Sequence, residues 1–419
     1  MIRKALETRL APRPPRRQER KGIILGALGV LASLALFRGS KLIGTDRPAV
    51  RRGAARFAPA WICFLCAALC NGQARAQDSA PSSADKTAAI AKIPAQVRGD
   101  ELNDAEQAAV EKGLAWLARA QAQDGSYGGD GMGKNAAITA LAGLAFMEAG
   151  NLPGRGKYAD NVSKCLSFIL SSCQESGLIA SDQSHGPMYG HGFATLFLGE
   201  LYGMTGDDNV KDKLQKAVRL IEKCQNREGG WRYQPAPIDA DISVTICQIM
   251  ALRAARDAGI KVEKDVIDNS IKYVRSCQNE DGGFSYMAHQ GGGGGSGFAR
   301  SAAGVASLYY AGVFEGDDLT RGLKYLTKFT PSRANVTNPE MEGHYYYGNY
   351  YAVQAMFLAG GEWWANWYPA IRDQLISRQA PTGAWSGDFS EDYATSMALI
   401  ILQMPNRYLP VYTGKGPGD

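Results

Sequence analysis

The feature that most limits the fold is a unit of about 51 residues that recurs from Asn103 onward. Gln121-Ala-Gln-Asp-Gly125 leads into Tyr127, Gln225-Asn-Arg-Glu-Gly229 into Trp231, Gln278-Asn-Glu-Asp-Gly282 into Phe284, and Gln379-Ala-Pro-Thr-Gly383 into Trp385. Cys173-Gln174-Glu-Ser-Gly177 is a weaker copy. The glutamines are spaced by 53, 51, 53 and 101 residues, and the last interval, two periods long, predicts a degenerate copy near Lys328–Pro331. Self-similarity at such a period marks an array in which each unit buries a face against its neighbours, as an open solenoid or a closed ring. Six units fill residues 103–404.

Each unit has one grammar. A helix runs into the glutamine, as over Asp104–Gln121 and Val266–Gln278, and Asp104 with Gln107 has the spacing of a capping box. Glycine, which adopts positive φ at little cost, ends that helix. After the aromatic residue comes a second helix, apolar around its circumference and therefore predicted to be buried. The six second helices are Ala136–Ala149, Phe193–Tyr202, Ile242–Ala258, Ala299–Ala311, Tyr350–Ala359 and Tyr393–Met404. The first helix carries more charge, as in Lys211-Asp-Lys-Leu-Gln-Lys-Ala217, so each pair reads as one exposed outer and one buried inner helix.

These residues carry a resemblance. Glutamine, glycine and an aromatic, repeated between helix pairs, resemble the prenyltransferase/squalene-oxidase repeat of the terpene cyclase and protein prenyltransferase α/α-toroid superfamily. The resemblance spans residues 103–404 and implies an all-α fold, an α6/α6 barrel whose inner helices begin at one end. Their N-termini then direct free N–H groups and partial positive charge into one bowl. The residues at those starts are Asn135, His191, Asp239, Asp241, Ser296, Arg300, Glu342, His344, Asp388, Glu391 and Asp392.

In class II terpene cyclases a D-x-D-D run supplies the proton that starts cyclisation. Asp239-Ala240-Asp241 is similar to it but has Ile242 in the final position, and Asp241 falls on the proton donor. A carboxylic acid held protonated in a dry site suits that task; the same residue type is also a favoured helix N-cap. The resemblance thus makes Asp241 the catalytic acid, with Asp239 and His344 as partners. Substrate contacts are expected at His191, Arg300, Tyr345, Tyr347, Asp392 and Tyr393. Protein prenyltransferase β-subunits hold zinc with an Asp-x-Cys pair and a later His; the matching positions here are Glu342, His344 and Ala394. Catalytic zinc needs three protein ligands, so no such site and no cofactor is expected, which leaves Glu342, His344 and Asp392 as the material for any other metal site. Gly291–Gly295 and Arg300 together suit a phosphate or carboxylate, while five glycines equally suit a mobile connector or lid. Tyr345, Tyr346 and Tyr347 are consecutive and cannot all face one way on a helix, so at least one is expected to line the bowl. Cys173, Cys224 and Cys277 occupy equivalent places before the turn and read as small buried fillers, with no disulfide framework.

Charge separates the ends. Residues 1–76 hold 15 basic and 3 acidic residues, the remaining 343 hold 31 and 38. Arg51, Arg52 and Arg56 precede the apolar run Phe57–Cys70, followed by Ala74-Arg75-Ala76. This is the three-part pattern of a secretory signal peptide, which sends the mature chain to the periplasm or cell exterior. About fifty residues precede it, which suggests a true start at Val50; the rival is a membrane anchor at Gly22–Phe37, shorter than the roughly 20 residues of a span. Residues 77–102 read as a linker and 405–419 as a tail. The basic surplus leaves with the leader, so no nucleic-acid partner is expected, nor a membrane span in the mature chain. Three functions remain: a cyclase-like enzyme on an isoprenoid or other small lipid, a non-catalytic scaffold for lipid, peptide or glycan, and a glycan hydrolase or lyase using paired carboxylates among Asp239, Asp241, Glu391 and Asp392.

Overall fold

The computed structural model describes residues 101–129, 133–181, 186–288, 294–332, 343–387 and 389–413. The leader with its signal peptide, Val50 and the 22–37 run, most of the linker, Gly291–Gly293, Glu342 and Asp388 lie outside the described residues. Outer and inner helices alternate along the chain: α1 (Asp104–Ala120), α2 (Ala136–Glu148), α3 (Ala159–Ser171), α4 (Met188–Thr205), α5 (Asp208–Cys224), α6 (Ile242–Asp257), α7 (Lys264–Ser276), α8 (Phe298–Ala311), α9 (Asp317–Leu326), α10 (Tyr345–Ala359), α11 (Gly361–Arg378) and α12 (Glu391–Gln403). A last short helix, α13 (Pro410–Thr413), packs on α4 and α6. The inner helices α2, α4, α6, α8, α10 and α12 each pack on the next, and α12 packs on α2, which closes an α6/α6 ring. No described helix is long and apolar enough to cross a membrane.

The repeat glutamine is the fastener. Gln121 Nε2 donates to Gly125 O in its own turn and to Asn161 O on the next outer helix, both at 3.1 Å. Gln225 does the same to Gly229 O and Val266 O, and Gln278 to Gly282 O and Asp318 O. Gln379 donates to Gly383 O and, at 2.8 Å, to Ala109 O of α1, so the sixth unit grips the first as the first, third and fourth units grip their successors. The turn glycines have φ of +88°, +91°, +100°, +87° and +100° at Gly125, Gly177, Gly229, Gly282 and Gly383. A Cβ on any of them would lie 2.1–2.5 Å from a backbone oxygen of the next outer helix. Glycine therefore serves both the turn and the close approach of adjacent units.

The aromatic residue docks inside. Tyr127 Oη, Trp231 Nε1 and Trp385 Nε1 each donate to the carbonyl ten residues earlier, at 2.7–2.8 Å. Their backbone N–H groups meet a hydroxyl on the following inner helix: Tyr127 on Thr139, Trp231 on Thr245, Phe284 on Ser301, and Trp385 on Thr395. A buried N–H left unmet there would cost about 1–3 kcal/mol.

Some boundaries differ from expectation. The first cap is Asn103, whose side chain accepts from Glu106 N, one residue before the expected Asp104. Helices α4 and α10 begin five residues earlier than their apolar pattern, because Gly190, Gly192 and Gly348 do not break them. Packing on neighbours requires small residues there: a Cβ on Gly192 would lie 2.8 Å from Cys247 Cβ, and one on Gly348 2.5 Å from Phe298. The five described cysteines are unpaired and all but the half-buried Cys173 are buried.

Candidate functional site

The inner-helix N-termini form the mouth of the barrel, and the loop before α6 builds its most unusual group. Asp241 is completely buried and caps α6. Its Oδ1 accepts three hydrogen bonds, from Ser243 N and Val244 N at 2.9 Å and from Ser243 Oγ at 2.6 Å. Its Oδ2, among the described residues, accepts none. Arg232 Nε lies 3.5 Å from that oxygen, and Arg232 Nη1 is bonded to Asp239 Oδ2. Burial raises the Asp241 carboxyl above its ordinary pKa, while Ser243, Val244, Tyr286 and Arg232 oppose the shift. One oxygen is thus spent on the helix, and the other faces the Arg232 guanidinium.

Tyrosines surround this carboxyl. Tyr189, at the start of α4, shares a 2.6 Å hydrogen bond with Ser243 Oγ, and Tyr347 Oη donates to Ser243 O at 2.9 Å. Tyr233 and Tyr286 hydroxyls are bonded to each other, and Arg232 lies over the Tyr233 ring. Tyr189, Tyr233, Tyr286 and Tyr347 are half-buried, so they form a rim. Ile238, 80% exposed, and Phe389, 46% exposed, rise from the loops before α6 and α12. Below the rim the lumen is bridged by side chains. Tyr351 of α10 contacts Cys247 Sγ of α6 at 3.3 Å, and Tyr350 meets Phe193 of α4 edge-on with centroids 6.2 Å apart.

The structure brings together Asp241, Asp239 and Tyr347, and it disperses the other expected residues. His191 is fully buried: Ile179 N donates to its Nδ1, and Nε2 faces Ala217 O of α5, which fixes the Nε2–H tautomer. It thereby takes the place that Thr139, Thr245, Ser301 and Thr395 hold in other units, where Ile179 stands for the aromatic. Its ring lies between inner and outer layers. Tyr345 also turns outward, donating to Gln374 Oε1 of α11 at 2.6 Å with Arg378 over its ring. His344 is exposed at the start of α10, outside the Asp241 hydrogen bonds among the described residues. Asp392 Oδ2 accepts from Gly128 N at 2.9 Å, and Tyr393 packs edge-on against Phe389. Arg300 folds back on Gly297, within 3 Å of where a Cβ there would stand, and its Nε is unpartnered among the described residues. Among those residues no group of three or more His, Cys, Asp or Glu is placed to hold a metal. Arg232, Tyr233, Tyr286, Tyr189 and Ser243 were not singled out by sequence; only the adjacency of Arg232 and Tyr233 to the repeat tryptophan Trp231 marked them.

Burial lowers the His191 pKa from 6.5 to about 4, so the folded chain prefers the neutral ring. A depressed folded pKa gives stability that is present above pH 6.5 and lost as pH falls toward 4. The shift corresponds to about 3 kcal/mol. Thermal melting of wild type from pH 7 to 4 should show this loss, and His191→Thr, with the acceptor other units use, should flatten it. A wild-type acid limb unchanged in His191→Thr would contradict the assignment.

A family model, the prenyltransferase alpha-alpha toroid domain, matches residues 99–336. No curated protein matches the sequence. Among solved structures, the GH76A alpha-1,6-mannanase from Salegentibacter sp. HEL1_6 is 10% identical, covers 72% of this chain and 98% of its own, and superposes with a TM-score of 0.55. The type II terpene cyclase MstE from Scytonema is 13% identical over 73% of this chain and 99% of its own, with a TM-score of 0.53. At these identities the likeness establishes the toroid fold alone. The family match spans more than half of the 419 residues, and the chain belongs to the prenyltransferase alpha-alpha toroid domain family.

Proposed function

We propose that the mouth of the barrel binds an isoprenoid or similar small lipid and that Asp241 protonates it. The observation that carries this reading is the divided carboxyl. Three donors fix Oδ1, while the buried Oδ2 accepts no such bond among the described residues and has Arg232 Nε 3.5 Å away, with Tyr286 beside the carboxyl. A proton on Oδ2 faces the Arg232 guanidinium, which favours its departure, and donors on Oδ1 stabilise the carboxylate that forms when it leaves. The tyrosine faces of the rim stabilise a cation formed nearby, and exposed Ile238 and Phe389 give an apolar ligand a landing surface. Because Tyr350 and Tyr351 bridge the lumen, the ligand lies across the rim and is not threaded down the barrel, and rim side chains must move aside for it to meet the buried Asp241. His191 and Tyr345, which face the outer layer, take no part; Arg300, Asp392 and Tyr393 remain rim candidates. The leader pattern supports export of this domain to the periplasm or cell exterior.

Asp241→Asn tests the acid separately from the cap. Asparagine caps helices about as well as aspartate, so stability should change by less than about 1 kcal/mol. Wild type incubated with squalene or geranylgeraniol and followed by gas chromatography–mass spectrometry should give a protonation-initiated product that the variant does not. An unchanged product in a stable Asp241→Asn protein would remove Asp241 from catalysis. The bridged lumen favours a second reading, a lipid-binding scaffold without catalysis. Lipid that copurifies with wild type and with Asp241→Asn, unconverted in both, would select it.

A further inference from the structure

The fifth unit departs from the repeat, and the departure opens a groove on the outside of the barrel. Helix α9 has 10 residues where α5 has 17 and α11 has 18, and a 3₁₀ turn, Thr327–Phe329, stands where other units have glutamine and glycine. The fastener that Gln121, Gln225, Gln278 and Gln379 extend to the next outer helix is therefore missing between α9 and α11. A groove of about 500 Å³ lies there, walled by Met356 and Ala359 of α10 and by Glu362, Trp363, Asn366 and Trp367 of α11. These four α11 residues fall at i, i+1, i+4 and i+5, so they share one helix face. Trp363 is half-buried and Glu362 and Asn366 are exposed. Trp367 is 1% exposed, its ring stacks on Phe298, and its indole N–H has no partner among the described residues. The repeat tryptophans Trp231 and Trp385, by contrast, each bond their indole N–H to a carbonyl.

We infer that this groove binds a neutral, hydroxylated ring, a sugar unit of a glycan. The unmet N–H of Trp367 asks for an acceptor, which a plain alkyl chain does not supply. A cation supplies none either, and Glu362 repels an anion. A sugar ring meets all three conditions. Its C–H face lies on Trp363, one hydroxyl accepts from Trp367 Nε1, and others donate to Glu362 and bond to the Asn366 amide. Apolar walls with a few convergent polar groups are the usual make-up of a small-molecule site. The groove is separate from the mouth, so this inference stands whether or not Asp241 is an acid.

The test uses the full chain and a panel of neutral trisaccharides (mannotriose, cellotriose, maltotriose and chitotriose), with binding read by tryptophan fluorescence and calorimetry. At least one should bind with a Kd in the millimolar range or tighter. Trp363→Ala should weaken it about tenfold, the loss of one stacked ring. Trp367→Phe keeps an aromatic ring against Phe298 but removes the donor, and it should weaken binding several-fold, read at a temperature where the melting curve shows the variant folded. Asp241→Asn should bind as wild type does. No binding of any panel member at 10 mM, or binding indifferent to both tryptophan variants, would overturn the proposal.

Discussion

Gly229→Ala is expected to destabilise the barrel by on the order of 4 kcal/mol, enough to shift the equilibrium by about a thousandfold. Two costs combine. The residue has φ +100°, where a side chain is strained by about 1 kcal/mol or more. The new Cβ would also stand 2.1 Å from Asn269 O and 2.6 Å from its carbonyl carbon, on the backbone of α7. Backbone cannot swing aside as a flexible side chain does, so two units must separate. Denaturant unfolding of the variant against a control such as Gly206→Ala, also at positive φ but with open space around its Cβ, isolates the second cost. Equal losses in the two variants would show that the close approach carries no weight.

A comparable effect is expected at the opposite end of the ring. Glu148 ends α2 and Glu200 lies on α4, both within 1% of complete burial. Val411 N donates to Glu200 Oε2, and the Tyr412 hydroxyl lies beside Glu148, so the chain after α12 crosses this end over both carboxyls. The ionisable groups facing them are Arg253 and Asp257 of α6, Tyr310 of α8, Tyr350 of α10 and Tyr412. Burial pushes Glu200 from 4.5 up to about 8 and Glu148 well above its ordinary value, the latter with a further contribution from Glu200. A raised folded pKa gives stability that is fully present below pH 4.5 and lost as pH rises through 8. Glu200→Gln, which keeps an acceptor for Val411, should therefore match wild type near pH 4.5. Above pH 8 it should exceed wild type by on the order of 4 kcal/mol. Glu106, raised to about 7, acts in the same direction and remains in the variant. Melting temperatures from pH 4.5 to 9 that run parallel in the two proteins would contradict this account.

The fold was legible because its determinants are local and repeated. The glutamine, the glycine four residues on and the docked aromatic lie within seven residues, a spacing that loop variation does not disturb. The hydroxyl that receives each aromatic N–H follows at intervals of 12, 14, 17 and 10 residues, and this drift hid both the rule and the place of His191 in it. Glycines in α4 and α10 look like stops unless the facing residue is known. At the mouth, Asp239 and Asp241 stood out through a motif, while helix geometry required only that at least one of Tyr345, Tyr346 and Tyr347 turn inward and did not say which. Arg232 and Tyr286 gain their meaning only from the meeting of the loops before α6 and α8, and sequence spacing does not encode that encounter.

The grip of Gln379 on Ala109 has a consequence for how the protein comes apart. A linear stack can fray from its last repeat inward, each loss exposing one new edge and leaving the rest intact. A ring has no last repeat. Opening it anywhere exposes two apolar seams at once, so intermediates lacking a single unit are penalised twice. Unfolding should then be sharp and all-or-none across some 300 residues, and a chain still short of its final helix pair should have little to hold it together.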